Sequence, residues 1–324
     1  VGFIRTNRDK TPDFFNMPNK HYGDKKRKTV IALTSLETSN EQWQQCVDGN
    51  PDRTLKRYQN LLKLTNRVLQ EPNRPDYLVF PELSIPRKWA FSMAQKLARN
   101  GISLICGLEY YPHLKEKNVL RNDCFISLVT RWPGYMTNVI MFQPKLEPSH
   151  NERKNLEKSG KTQFEPQSAQ SSLPVYSHGN FTFGVLICSD LTNIANRIHF
   201  QGHIDSLFVL EWNPDLNTFN FLIESSAHDI HTSVIQVNNR AYGDSRIRTP
   251  FKLEYKRDSV RVKGGLEDFY VIGDIDHHSL RRYQLEPNME NPQYKPLPIG
   301  FKMSPFRRFS ASIGKNINRI KQDK

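Results

Sequence analysis

Phe-Thr-Phe-Gly-Val-Leu-Ile-Cys-Ser-Asp, residues 181–190, is the most informative part of this sequence. Its first seven residues are apolar, Gly or β-branched, and this composition predicts a buried strand rather than a helix. The run ends in Cys188, Ser189 and Asp190, and the carboxyl ends of strands face the ligand crevice in layered α/β folds. Cys188 is therefore a candidate nucleophile. The alternative is that it is a small core residue, which is the commoner role of a strand-end cysteine.

The composition indicates a globular protein, for which we expect a cytoplasmic location. Of 324 residues, 37% are hydrophobic and 24% are charged, which is ordinary and allows a sizeable core. No run approaches the roughly 18 apolar residues of a membrane-spanning helix, so we expect no membrane partner. Because the cysteines lack C-x-x-C spacing, we expect free thiols of a reducing compartment at Cys46, Cys106, Cys124 and Cys188.

The net charge of +13 is concentrated at the two ends of the chain. Residues 1–30 carry eight Lys or Arg and three Asp, and residues 301–324 carry seven Lys or Arg and one Asp. Such ends are usually solvated tails, and contact with nucleic acid or another domain is the alternative. We predict a basic N-terminal arm or linker at 1–28, one domain at 29–282 and a basic extension at 283–324. Four apolar residues of this extension recur at helical spacing and suggest an amphipathic helix, namely Phe309, Ile313, Ile317 and Ile320.

Strands alternate with helices through the middle of the chain, which predicts a layered α/β domain. Apolar or β-branched runs predict strands at 29–34, 76–82, 102–108, 125–129, 138–142, 181–187, 206–210, 232–237 and 269–275. Apolar residues at near-helical spacing predict helices at 53–70, 86–101, 192–202 and 217–230. Residues 146–171 are polar and lack periodicity, so they predict a long loop that acts as a lid or an assembly contact.

Two other predicted strands end near ionisable side chains, Glu82 and Lys145. A thiol attacks as the thiolate, and a carboxylate can take its proton and return it to a leaving amine. A lysine can stabilise the negative charge that develops on a carbonyl oxygen, assisted by a backbone N–H beside the nucleophile. The three residues together are the components of a nucleophilic site, although a lone Glu or Lys usually lies on the surface.

The order Glu82, Lys145, Cys188 resembles that of the nitrilase or carbon–nitrogen hydrolase superfamily, whose members use a Glu–Lys–Cys triad in this order. Local sequence extends the resemblance over about residues 29–282. The similar segments are Leu-Val-Phe-Pro-Glu82, Gln143-Pro-Lys145, Gly184-Val-Leu-Ile-Cys-Ser-Asp190, Trp212, Val237-Asn-Asn-Arg240, Gly243-Asp-Ser-Arg246 and Asp274-Ile-Asp276. The resemblance implies a four-layer αββα sandwich, usually paired into dimers or larger assemblies through the helices that follow the cysteine.

The same resemblance implies roles for individual residues. Glu82, Lys145 and Cys188 would be catalytic. The second structural glutamate of the family would be Glu152, with Glu147 as its rival, because the sequence after the lysine departs from the usual pattern. The supporting residues would be Ser189, whose N–H would help to hold the oxyanion, Asp190 and Trp212.

The motif Cys188-Ser-Asp190 is similar to the Cys-x-Asp motif of the family's amidase and carbamoylase branches rather than to the Cys-Trp-Glu motif of its nitrile-cleaving branches. The resemblance therefore implies a thiol hydrolase that acts on a small-molecule amide through a thioester, without a cofactor. His228 and His231 lie three apart, but no third ligand at useful spacing accompanies them, so we expect no metal.

A second hypothesis is an accessory role. Nitrilase-like domains also occur fused to other modules, including bacterial reverse transcriptases of antiviral defence systems. The sequence begins with Val1 rather than Met, and its basic ends would suit a fragment of such a protein. In that case the domain would serve assembly or signalling, and binding of DNA or RNA would depend on the basic ends.

Overall fold

The structure is a computed structural model and describes residues 2–4, 14–17, 27–114, 116–132, 135–166, 173–289 and 292–308. The strands are β1 (Gly2–Ile4), β2 (Phe14–Met17), β3 (Thr29–Ser35), β4 (Tyr77–Ile85), β5 (Ser103–Leu108), β6 (Tyr111–Pro112), β7 (Val119–Arg121), β8 (Asp123–Trp132), β9 (Tyr135–Pro144), β10 (Thr162–Gln163), β11 (Val175–His178), β12 (Phe181–Ile187), β13 (Ser206–Glu211), β14 (Ser233–Asn238), β15 (Ser245–Arg248), β16 (Asp258–Val262) and β17 (Phe269–Ile275). The helices are α1 (Asn40–Val47), α2 (Leu55–Leu69), α3 (Arg87–Ala98), α4 (His150–Lys158), α5 (Ile194–His199), α6 (Leu216–Ser226) and α7 (His277–Leu285). A 3₁₀ turn spans Cys188–Thr192, and a π turn spans Ala227–His231.

Two large sheets form the centre of the molecule. One has the order β17-β3-β4-β5-β8-β9, and the other has the order β1-β2-β11-β12-β13-β14-β15-β16. A small sheet, β10-β7-β6, lies apart from them. In the first large sheet β3, β4 and β5 are parallel, and in the second β12, β13 and β14 are parallel. Parallel strands bring their carboxyl ends to one edge, where a ligand site can form.

Residue alternation explains why the two sheets pack face to face. Ile31 of β3, Tyr77 and Val79 of β4 and Ile105 of β5 belong to the same buried cluster as the apolar residues of β12, β13 and β14. The Tyr77 ring contacts the Phe208 ring of β13 at 6.0 Å between centroids. Because successive side chains of a strand point to opposite faces, the intervening residues are left for the helices outside.

Helices cover the outer face of each large sheet and complete four layers. Ala32, Leu78 and Leu104 of the first sheet share a second cluster with the apolar stripes of α2 and α3. Phe200, Phe219 and Ile223, which lie at the end of α5 and in α6, pack with the second sheet. The fold is therefore the αββα sandwich that the family resemblance implied.

Most predicted elements occur at the expected places, and one prediction is wrong. The nine predicted strands correspond to β3, β4, β5, β8, β9, β12, β13, β14 and β17. The predicted loop at 146–171 instead contains α4 and β10. Helix α4 lacks hydrophobic periodicity because only Leu156 is buried, and it begins at a capping box formed by Ser149 and Glu152.

Parts of both chain ends pack with the central domain. The predicted division into an arm, a domain and an extension stays a prediction. Strands β1 and β2 lie within the predicted arm, and β2 pairs with β11. Helix α7 crosses the predicted boundary at 282. Further on, Arg307 is fully buried and donates to Asp205 at 2.6 Å. The predicted helix through Phe309 and Ile320 lies outside the described residues. None of the helices in the described ranges has the length and apolarity that crossing a membrane requires.

Candidate active site

Glu82 lies near the carboxyl end of β4, where the strand departs from regular pairing. The β4–β5 register shifts between Phe80 and Ile85, and Leu83 adopts a φ of 55°. The backbone of β5 comes so close at Gly107 that a Cβ atom there would lie 2.6 Å from the Pro81 carbonyl oxygen. Glycine at 107 therefore permits the bulge that turns Glu82 into the site. The Glu82 side chain is only 2% exposed.

Lys145 follows β9 directly and links two buried carboxylates. Its Nζ donates to Glu82 Oε1 at 2.9 Å and to Glu152 Oε2 at 2.5 Å. Lys145 is 1% exposed. Its backbone N–H donates to the Asn122 carbonyl oxygen at 2.8 Å, which fixes the start of the side chain. Such a buried cation is stable only because both partners offset its loss of hydration.

Helix α4, which was not predicted from the sequence, positions Glu152. Ser149 caps α4, and Glu152 accepts from the Ser149 N–H at 3.1 Å while its other bonds reach Lys145 and the Tyr110 hydroxyl. Of the two acids considered from the sequence, Glu152 is thus the one that contacts Lys145. The Glu147 N–H instead donates to Asp190 at 3.4 Å.

Cys188 lies at the sharp turn between β12 and the 3₁₀ turn that follows. Its φ of 46° is unusual for a residue with a side chain, and such strain is typical of functional positions. Asp190 holds the turn against the lysine segment, because its carboxylate accepts from the N–H groups of Leu146 at 3.1 Å and Ile187 at 3.3 Å. The Ser189 hydroxyl donates to the Glu147 carbonyl oxygen at 3.1 Å. The cysteine turn and the lysine segment are therefore joined by hydrogen bonds on both sides.

The electrostatic environment keeps Cys188 protonated in the resting protein. Burial and the Glu82 carboxylate raise the pKa of the thiol well above its usual value, and Lys145 opposes this effect. Burial also raises the pKa of Glu82, although Lys145 lowers it. Burial alone would lower the pKa of Lys145, but Glu152 and Glu82 raise it well above its usual value. A thiol, an acceptor of raised basicity and a fixed cation therefore share one buried space.

Trp212 completes the surroundings of Glu82. Its backbone N–H donates to Glu82 Oε2 at 3.1 Å, and its indole N–H donates to the Thr38 carbonyl oxygen at 3.0 Å. The indole stacks on Trp43 of α1 with 6.2 Å between ring centroids. The ring of Tyr110 contacts Trp43 edge-on at 6.0 Å. Aromatic side chains thus form one wall next to the two carboxylates.

Three side chains of the site were not predicted from the sequence. Asn122 donates through Nδ2 to Glu82 Oε1 at 2.8 Å, and Tyr110 donates to Glu152. Glu211, the last residue of β13, is fully buried, and burial raises its pKa to about 8. Asn122 follows β7 directly and Glu211 ends β13, which was a usable signal, whereas Tyr110 directly precedes β6. The sequence offered no way to separate them from the other polar residues at strand ends.

The two histidines weighed as metal ligands lie elsewhere. His231 is buried and bonds through Nε2 with the Lys295 carbonyl oxygen at 2.9 Å, whereas His228 lies at the surface beside Asp229. In the part of the chain that the structure describes, no group of three or more His, Cys, Asp or Glu side chains is arranged to hold a metal ion.

Comparison with known proteins supports the fold. The sequence matches no protein-family model and no curated protein. Among solved structures, an amidase from Nesterenkonia sp. superposes with a TM-score of 0.53 at 16% identity, over 80% of this chain and 95% of the amidase. A CN-hydrolase superfamily protein from Xanthomonas campestris, with an arsenic adduct in its active site, gives a TM-score of 0.54 at 12% identity, over 84% and 99% of the two chains.

A further structure shows a variant of the Nesterenkonia amidase with the acetamide moiety of fluoroacetamide bound covalently at its active-site cysteine. It superposes with a TM-score of 0.52 at 16% identity, over 80% of this chain and 96% of that one. The fold of this chain is therefore that of the nitrilase-superfamily amidases. Identities this low concern the fold alone.

Proposed function

We propose that this chain is a thiol hydrolase that cleaves amide-type carbon–nitrogen bonds through a covalent thioester. The observation that carries the proposal is the buried Lys145 ammonium, which bridges Glu82 and Glu152 beside the strained turn at Cys188. Burial of three charged groups is costly, and active sites are where such arrangements with perturbed pKa values accumulate. The same fold in an amidase with a reactive active-site cysteine also supports it.

In the proposed reaction Glu82 takes the proton of the Cys188 thiol, and the sulfur attacks the amide carbonyl carbon. The negative charge that develops on the oxygen is stabilised by Lys145 and by the N–H of Ser189. As the carbon–nitrogen bond breaks, Glu82 returns the proton to the leaving ammonia or amine. Glu82 then removes a proton from water, which attacks the thioester and releases a carboxylic acid and the free thiol.

The raised pKa values of Cys188 and Glu82 agree with this division of roles. A thiol that stays protonated until substrate arrives needs a base next to it, and burial makes Glu82 a stronger base than an exposed carboxylate. Glu152 has a lowered pKa: burial favours its neutral form, but Lys145 outweighs this and keeps it charged. Glu152 would therefore hold Lys145 in place rather than transfer protons, and Asp190 and Trp212 would orient the cysteine turn and Glu82.

The test uses a covalent probe and a panel of substrates. Wild-type protein is incubated with small amides, nitriles and fluoroacetamide, and intact and peptide mass spectrometry locates any adduct. We expect hydrolysis of amides and an adduct on Cys188. C188A should lose both, and E82Q should lose about 10²- to 10⁴-fold in turnover. C46A is the matched control, because Cys46 is also a buried free thiol. Amide hydrolysis that persists in C188A would overturn the proposal.

We also propose that two or more copies assemble through the face that carries α5 and α6. Ile194 and Ile198 of α5 and Phe221 of α6 are 62%, 57% and 75% exposed. Large apolar side chains that cluster on the surface are typical of protein contacts. The accessory role in a larger nucleic-acid enzyme, and contact of the basic ends with nucleic acid, stay predictions.

A further inference from the structure

Glu211 is a buried carboxyl group that the proposed reaction does not use. Strands β12 and β13 are parallel with Ile187 opposite Leu210. The next residues along the two strands are Cys188 and Glu211, so they are neighbours at the carboxyl edge of the sheet. Glu211 is fully buried, and its charged form adds to the larger effects of burial and Glu82 that raise the pKa of Cys188.

A chain of hydrogen bonds fixes the Glu211 carboxyl group. Arg246 Nε donates to Gln236 Oε1 at 2.9 Å, so the amide NH₂ of Gln236 must face the other way. That NH₂ donates to Glu211 Oε2 at 2.9 Å. Arg246 is itself 1% exposed and donates through a second nitrogen to Asn220 Oδ1 of α6 at 2.7 Å. The network therefore reaches from α6 through β15 and β14 to the end of β13.

The network gives Glu211 one neutral donor and no direct cation. Among the described residues no ion pair includes Glu211, and its Oε1 atom is buried without a hydrogen-bond partner. A buried carboxylate in this position loses hydration on both oxygens and recovers one hydrogen bond, so the neutral acid is the stable form. Burial accordingly raises the pKa of Glu211 to about 8, against the smaller effects of Gln236 and Arg246.

The charged groups that face Glu211 come from every strand around it. Glu82 of β4 and Asp244 before β15 favour its neutral form, and Arg246 of β15 favours its charged form. Cys188 faces it from the end of β12, and α6 contributes the uncharged Asn220. Two of these groups, Cys188 and Glu82, change their charge during the proposed reaction, and Cys188 is the one that follows the strand paired with β13.

We propose that Glu211 is a positioning residue that controls the ionisation of Cys188: the neutral acid permits the thiolate, and the carboxylate opposes it. The effect of this control on the rate of amide hydrolysis rests on the proposed hydrolase function. Loss of the Glu211 proton places a second negative charge beside the sulfur. Thiolate formation at Cys188 is therefore suppressed above the pH at which Glu211 ionises. The Gln236–Arg246 chain sets the pH at which this happens.

The test measures the thiolate directly and needs no turnover. The rate of iodoacetamide alkylation at Cys188 is followed by peptide mass spectrometry against pH, and the ultraviolet absorbance of the thiolate is read as the difference from C188A. At about pH 9, E211Q should alkylate at least about threefold faster than wild type, and at about pH 6.5 the two should agree within about twofold. E211D, which keeps the carboxyl group, should alkylate at Cys188 as slowly as wild type at about pH 9. Cys46, next to Glu109 rather than Glu211, is the internal control thiol.

Q236M provides a second variant that keeps Glu211. Loss of the amide donor makes the Glu211 carboxylate less stable, so Glu211 should ionise at a higher pH. The alkylation rate of Cys188 at about pH 9 should therefore rise. Folding of each variant is checked by thermal denaturation. Equal pH profiles of Cys188 in wild type, E211Q and Q236M would overturn the inference. If E211Q raises the thiolate fraction but wild type hydrolyses no amide, the proposed function fails alone. If Cys188 hydrolyses amides and E211Q titrates like wild type, the inference about Glu211 fails alone.

Discussion

Replacing Lys145 with methionine should destabilise the protein strongly and make its stability depend on pH. Methionine fills a similar volume but removes the ammonium group that contacts Glu82 at 2.9 Å and Glu152 at 2.5 Å. Two buried carboxylates would then face each other with Asn122, Trp212, Ser149 and Tyr110 as their donors. Removing one partner of a buried ion pair costs about 3–5 kcal/mol, so K145M should lose that much of its free energy of unfolding near neutral pH.

The sign of the pH dependence follows from the proton that the variant retains. Without Lys145 the two carboxylates share a proton, so the pKa of one of them rises above the value of about 4.3 for an unfolded Glu. Between about pH 5 and 8 the folded variant then binds about one proton more than the unfolded chain, and its stability falls by about 1.4 kcal/mol per pH unit. In wild type this loss is smaller, because the ammonium group holds Glu152 ionised and lowers the pKa of Glu82 against the effect of burial. The gap between the two proteins should therefore widen as the pH rises.

Urea denaturation followed by circular dichroism at about pH 5 and about pH 7.5 measures both effects. K161M is the matched control, since the Lys161 Nζ donates to the uncharged Asn118 side chain at 3.3 Å near the surface, and its cost should stay within about 0.5 kcal/mol. Adding E152Q to K145M removes one of the two carboxylates and should flatten the pH dependence. A K145M protein within about 1 kcal/mol of wild type at both pH values would refute the charge assignment of the site.

Three further predictions concern the scaffold and the surface. D205N should lose about 3–5 kcal/mol of its free energy of unfolding in urea denaturation, because buried Arg281 and Arg307 both donate to this carboxylate. E165Q is the matched control: it breaks the exposed pair with Arg153 and should lose under about 1 kcal/mol. G107A should abolish amide hydrolysis, because its Cβ would displace the backbone of Glu82. G265A is the matched control and should keep activity, because the atoms nearest to its Cβ belong to the flexible Phe269 side chain. An active G107A protein would contradict the proposed bulge. I198D should reduce the molar mass seen by light scattering and leave the urea midpoint unchanged; an unchanged mass would exclude the α5 face as the contact.

The sequence predicted the strands of the fold well because each carries its own local signal. Runs such as 181–187 consist of apolar, Gly or β-branched residues, as is typical of strands buried on both faces, and all seven residues are buried in the structure. Helix α4 was missed for the opposite reason. It buries only Leu156, so its stability depends on the Ser149 cap and on contacts that its sequence does not display. The missed helix is also the element that brings Glu152 to Lys145.

The site shows the same division between local and tertiary information. Glu82, Lys145 and Cys188 could be selected because each stands at or near the end of a predicted apolar strand, and their order matches that of a known family. Asn122 and Tyr110 flank short, weak strands of the small sheet, and their roles depend on where that sheet packs. Glu211 was visible at a strand end, but only the register of β12 and β13 brings it beside the cysteine. Sequence patterns therefore identify strand ends, and pairing determines which ends meet.

Backbone strain and buried charge converge on the same edge of the sandwich. Three of the four described non-glycine residues with a positive φ lie there: Leu83 at 55°, Cys188 at 46° and Asp244 at 68°. Leu83 adjoins Glu82, Cys188 carries the thiol, and Asp244 acts on Glu211; the fourth, His231, lies elsewhere. Each such residue costs of order 1–3 kcal/mol, and this cost is in addition to that of burying Lys145 and its two carboxylates. The strain persists because two packed sheets and the anchored segment around Arg307 hold the strands in register. A core alone would not require any of these features. Their concentration around one thiol is the strongest physical reason to treat Cys188 as a nucleophile rather than as a packed core residue.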